Sequence, residues 1–140
     1  MSIIKSTFEN LEKVNSKALV TYTVAGDPNL DTSEKIISEI VSSGADIIEI
    51  GVPFTDPIAE GPVIQKAHDR ALKNNTSLEL IFKMVAEYRK FDDKTPLVLM
   101  GYLNTFIFHK KLIEKNHNDV VDSKALDIDA ENTTANICIL

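Results

Sequence analysis

Apolar positions along this chain alternate between a spacing of about 3.6 residues and a spacing of about 2, the marks of helix and strand. Ile4, Phe8 and Leu11 recur at helical spacing and predict a short amphipathic helix at the start. Ala18 to Ala25 is a β-branched and aromatic run, hence a strand, with Val20 and Tyr22 on one of its faces. Gly26-Asp27-Pro28-Asn29 is a turn cluster. Ile36, Ile37, Ile40 and Val41 then form an apolar helical stripe, behind a capping arrangement expected from Asp31 and Glu34. Gly44 ends that helix. Asp46 to Gly51 reads as a second strand. Pro62 suits the first position of a further helix, with Val63, Ile64, Ala67 and Ala71 as its inner face. Thr76 and Glu79 are the expected capping pair of the next helix, with Leu78, Ile81, Phe82, Val85 and Tyr88 inward. Pro96 to Gly101 is a third strand.

The predicted order is α-β-α-β-α-α-β, with strands near residues 18–25, 46–51 and 96–101. Strands separated by helices imply βαβ units, right-handed crossovers and a parallel sheet. The character changes after Phe108. All five glycines and all five prolines lie at or before Gly101, so His109 to Leu140 has no strong turn residues. Helical turns are expected from Phe106 to Lys115, then a polar tail with Val120-Val121 and Asn136 to Leu140 as its apolar patches. The expected organisation is one unit over 1–108 and a poorly ordered stretch over 109–140, with few core contacts from about residue 116.

Composition narrows the function classes. The 140 residues suffice for one sizeable core, and 44% hydrophobic with 26% charged residues is ordinary for a globular domain. A net charge of -6 gives no broad basic surface for nucleic acid or an anionic membrane. The single cysteine, Cys138, has no internal disulfide partner, which fits a reducing cytoplasm. No secretory leader and no membrane-spanning apolar run is read from the sequence.

The candidate chemistry gathers in DIIEIGVPFTDPIAEGPVIQ, Asp46 to Gln65. Alternation puts Ile47 and Glu49 on one face of the strand and Ile48 and Ile50 on the other. In a parallel sheet covered by helices, Glu49 then points inward at the carboxyl end of a strand, where α/β folds keep their catalytic groups. The loop that follows, stiffened by Pro53 and Pro57, brings Asp56 and Glu60 near that strand end. A strand-borne acid beside an acidic, proline-rich loop reads as an acid–base site under a mobile cover. Asp56 has a second reading, as a brace of its own turn. His68, His109 and His117 show no metal-ligand spacing and receive no role.

The run EIGVPFTDPIAEGPVIQKA resembles the signature of the tryptophan synthase alpha chain family, and TYTVAGDPN and MGYLN resemble further family segments in the same order. The resemblance covers roughly Ile3 to Phe108. It implies the first three units of an eight-stranded (βα) barrel with an N-terminal helix, that is, a truncated barrel ending in an unrelated stretch. It also implies a cytoplasmic lyase of tryptophan biosynthesis, which cleaves indole-3-glycerol phosphate to indole and glyceraldehyde 3-phosphate. No cofactor is implied for this chain; pyridoxal phosphate belongs to the beta chain expected as partner, in an assembly of two alpha and two beta chains.

Residue by residue, Glu49 matches the family's proton-transfer glutamate. Glu60 stands where the family carries an aspartate that accepts the indole N–H; it keeps the charge and adds one methylene. A misplacement of about 1 Å can cost on the order of a hundredfold in rate. Tyr22, Met100 and Tyr102 match the indole pocket, and ordinary barrel filling is their other reading. Pro53, Phe54, Asp56, Pro57 and Asn104 match the side that faces the beta chain. A second function class is a non-catalytic remnant that at most contacts that partner. A third, another phosphate-sugar barrel enzyme, is opposed by PFTDPIAEGPVIQ.

Overall fold

In the computed structural model, the described residues are 3–58, 60–106 and, as backbone, 135–139. The elements are α1 (Ile3–Lys13), β1 (Val20–Val24), α2 (Leu30–Ser42), β2 (Ile47–Gly51), α3 (Pro62–Lys73), α4 (Leu78–Tyr88), β3 (Leu97–Gly101) and β4 (Ala135–Ile139). All strand pairs are parallel, and the sheet order is β1-β2-β3-β4.

The three expected strands are therefore in place, and a fourth corrects the reading of the tail. β4 runs in register with β3 from Leu97↔Ala135 to Gly101↔Ile139. Its ANICI segment overlaps the Asn136 to Leu140 patch, for which the sequence predicts only apolar character. The free edge of β3 presents unpaired backbone groups, and a short strand-forming segment satisfies them. The expected helical turns at 106–115 and the remainder of the 109–140 stretch fall almost wholly outside the described residues.

Register decides the two faces. Tyr22 pairs with Glu49, and Glu49 with Val98, so these three side chains share one face with Val24, Gly51 and Met100. The opposite face carries Ile48, Ile50, Leu97 and Leu99, all fully buried. They pack with Ile37 of α2 and Ile81, Met84 and Val85 of α4. Each such side chain contributes about 1.5–3 kcal/mol through burial. This helix-covered layer is the core; the Tyr22–Glu49 face is the other side of the sheet, with Ala67 and Ala71 of α3 against Val24.

Two caps differ from expectation. Asn29, not Asp31, caps α2, accepting the Thr32 N–H at 2.9 Å. Ser77, not Thr76, caps α4, its hydroxyl accepting from the Leu80 N–H at 3.3 Å. Each turn holds more than one residue able to cap, and spacing alone does not choose among them. Gly44 sits just past α2 with φ +103, the left-handed conformation expected of a helix stop. Val63 is 77% exposed, against its expected inner place. The inward face of α3 runs through Ala67, His68 and Ala71, with Ile64 partly buried.

Candidate active site at the carboxyl end of the strands

Glu49 lies near the end of β2, partly accessible between buried neighbours. Tyr22 stands opposite it on β1. Burial first, then the negative charges of Glu60 and Glu49 and the nearby Tyr102, push the Tyr22 phenol far above its ordinary value. Both carboxylates thus act on one hydroxyl, which keeps its proton. Met100 shares the face, two residue pairs further along, opposite Gly51. Gly51 makes room: a Cβ there would lie 2.1 Å from the Tyr22 hydroxyl oxygen.

The loop after β2 folds back over this end. Tyr102 donates its hydroxyl to Glu60 Oε2 at 2.8 Å. Glu60 Oε1 is buried and has no hydrogen-bond partner among the described residues. A buried carboxylate oxygen with no partner is costly, and a ligand N–H reaching it would remove that cost. The Phe54 ring stacks on Tyr102 with centroids 4.5 Å apart. Gln65 of α3 donates to the carbonyls of Pro57 at 3.1 Å and Glu60 at 2.8 Å. α3 is itself tied to the end of β1, where Arg70 donates twice to Asp27, each bond 2.7 Å.

His68 receives no role from spacing, and the structure corrects this. It is fully buried. Its Nδ1 accepts the Phe54 N–H at 3.0 Å, and its Nε2 lies 3.5 Å from the Tyr22 hydroxyl. The only sequence signal was its place on the apolar face of α3. His109 and His117 lie outside the described residues. Pro53 and Pro57 are buried, Phe54 is partly buried, and Asp56 and Asn104 are exposed. Asp56 accepts from the Thr55 hydroxyl at 2.9 Å, a contact within its own turn.

A cavity of about 600 Å³ lies elsewhere, between α1 and the amino ends of β2 and β3, with Leu11, Asp46 and Lys94 in its lining. It is at the opposite end of the sheet from the carboxylates. Among the described residues no helix is long and apolar enough to cross a membrane.

Parallel strands alternating with helices define part of a (βα) barrel. The profile of the tryptophan synthase alpha chain family matches residues 8–125, past the expected boundary at 108. A tryptophan synthase alpha chain from Marinobacter nauticus is 53% identical over 104 residues, which are 74% of this chain and 38% of that one. The crystal structure of tryptophan synthase subunit alpha from Legionella pneumophila str. Paris superposes with a TM-score of 0.76 at 43% identity, over 78% of this chain and 42% of that one. A tryptophan synthase complex from Pyrococcus furiosus matches with a TM-score of 0.60 at 41% identity, over 65% of this chain and 37% of that one. This chain belongs to the tryptophan synthase alpha chain family, a family of tryptophan biosynthesis, and spans about 38% of the length of the curated relative described above.

Proposed function

We propose that this chain carries the acid–base part of a cytoplasmic aldol lyase that releases indole and glyceraldehyde 3-phosphate from indole-3-glycerol phosphate. The observation that supports it is the pairing of Glu49 with Tyr22 on neighbouring strands, with Glu60 near enough for both carboxylates to act on the partly buried Tyr22 hydroxyl. Glu49, as the acid, gives its proton to the indole ring carbon that bears the glycerol side chain. The ring nitrogen becomes electron-poor, and its N–H is accepted by Glu60 Oε1, the oxygen left without a partner. Glu49, now a carboxylate, takes the proton of the side-chain hydroxyl. The electrons of that O–H bond form the aldehyde C=O, and those of the breaking carbon–carbon bond return to the ring. Indole leaves, and Glu49 is again protonated. Tyr22, Met100 and Tyr102 would flank the ring.

The extra methylene of Glu60 is taken up by its bond to Tyr102, which fixes the carboxylate despite the longer side chain. The chemistry needs no cofactor in this chain; pyridoxal phosphate would reside in a beta chain. Exposed Asp56 and Asn104, with Ile58 at 87% exposure and Leu103 at 48%, offer a mixed polar and apolar surface on the same loops for that partner. A role in partner contact alone is the second reading this surface supports, and an assembly of two alpha and two beta chains is the expected form.

The test follows indole formation from indole-3-glycerol phosphate by the 140-residue polypeptide, with and without a beta chain. Turnover well below that of a full-length relative is expected, because remote binding energy supports the chemical step and this chain spans 38% of such a relative. Glu49→Gln should abolish what turnover there is. Indole formation that survives this substitution would remove Glu49 from the mechanism. Indole formation absent in every arm, with beta-chain binding retained, would favour the contact reading.

A further inference from the structure

We propose that His68 is a positioning residue that latches the acidic loop over the site in its neutral form, through the Phe54 N–H, and directs the Tyr22 hydroxyl toward the carboxylates. The inference rests on the lyase reading of the site, but its geometry stands apart from that reading.

The argument begins with tautomer chemistry. A backbone N–H only donates, so Nδ1 of His68, 3.0 Å from the Phe54 nitrogen, must be the unprotonated ring nitrogen. The neutral ring then carries its proton on Nε2. That N–H faces the Tyr22 oxygen at 3.5 Å, a long contact that is weak in energy and clear in direction. With its oxygen turned to His68 as acceptor, Tyr22 has its own proton free to give. Glu60 and Glu49 are the charged groups near enough to act on that hydroxyl.

The latch closes a circuit. Phe54 is held by His68 through its backbone and by Tyr102 through its ring. Tyr102 holds Glu60, whose carbonyl is held by Gln65. Gln65 and His68 lie three apart on α3, so one helix face grips both ends of the loop. Releasing Phe54 would loosen the stack on Tyr102, and through it the carboxylate of Glu60.

Protonation is incompatible with the latch, because a ring protonated on Nδ1 cannot accept the Phe54 N–H. The groups that face His68 are Tyr22 from β1, Phe54 and Glu60 from the loop and Asp69 from its own helix, with Glu49 beyond Tyr22. Burial lowers the His68 value, while the charges of Glu60 and Asp69 oppose that effect more weakly. The fold therefore prefers the neutral ring. The stabilisation is complete above the unfolded value of about 6.5 and is lost as pH falls through the lower folded value.

The test uses the full chain. Ring ¹⁵N resonances of His68, assigned by loss in the variants, report the tautomer and the titration. Hydrogen exchange of the Phe54 amide reports the latch. The expected neutral state has the proton on Nε2 and titrates below 6.5. His68→Asn places a carbonyl oxygen where Nδ1 stood, so Phe54 protection should persist and lose its pH dependence. His68→Leu removes the acceptor, and the Phe54 amide should exchange on the order of fivefold faster than in the wild type at pH above the His68 titration, the difference closing as His68 protonates. In a lyase assay with measurable turnover, the acid limb of the wild type should flatten in His68→Asn. A proton on Nδ1, titration at or above the ordinary value, or unchanged Phe54 exchange in His68→Leu would overturn the proposal. These readouts need no catalysis, so the latch and the lyase reading fail separately.

Discussion

A Cβ at position 51 would sit 2.1 Å from the Tyr22 hydroxyl oxygen and 2.7 Å from the ring carbon that bears it. The glycine that ends β2 is thus the space into which the Tyr22 side chain fits, and Tyr22 is the group on which both carboxylates act. Gly51→Ala should displace the ring, at a cost of about 1–3 kcal/mol. Tyr22→Ala in the same chain should recover most of that loss, since the clash needs both side chains. A double-mutant cycle by denaturant unfolding checks this, and additive effects would show that Gly51 matters for some other reason. The alternation of a strand reaches Glu49 from sequence because it needs only a face and an end. It does not reach His68, whose partners are a backbone N–H fourteen residues earlier and a tyrosine on another strand, 46 residues away.

The turn between α4 and β3 shows how an element boundary is held. Burial pushes the Asp92 carboxyl up, but hydrogen bonds from Thr95, from the Lys94 and Thr95 N–H groups and from the Tyr88 hydroxyl prevail and hold it at about 2. Arg89 adds donations to the carbonyls of Asp92 at 3.0 Å and Thr95 at 2.7 Å. The folded carboxyl lies below its unfolded value, so the stabilisation is full above that value, near 3.9, and is lost as pH falls through about 2. Asp92→Ala should destabilise the chain by about 1–2 kcal/mol at neutral pH and flatten the acid limb of its stability curve. Thermal unfolding across pH 2–7 measures both, and an acid limb equal to the wild type would count against Asp92. Element identity was legible because the apolar periods are long and clean. The caps were not: Asn29 and Asp31, like Thr76 and Ser77, compete on similar chemistry, and backbone geometry decides between them.

At the scale of the whole chain, three strands and their parallel order could be read from the alternation of strand and helix. The fourth could not, because the pairing of β4 with β3 joins segments more than thirty residues apart, and nothing local in ANICI names its partner. That sheet order leaves β1 with β2 as its one neighbour among the described residues. Leu19 and Val20, at the start of this edge, are 53% and 49% exposed. A strand edge with free backbone groups and exposed apolar side chains invites pairing with another chain. A polypeptide of these 140 residues is therefore expected to self-associate as concentration rises. Val20→Lys should suppress this, since a charge on an edge strand must be desolvated for a second strand to dock. Val20 pairs with Ile47 at the amino end of β1, on the face of Tyr22 and two residues before it, so the readout is association and not turnover. Sedimentation velocity over a hundredfold range of concentration separates the outcomes. A wild-type chain that stays monomeric throughout would show that the β1 edge is already covered, and association unchanged by Val20→Lys would place the contact on another surface.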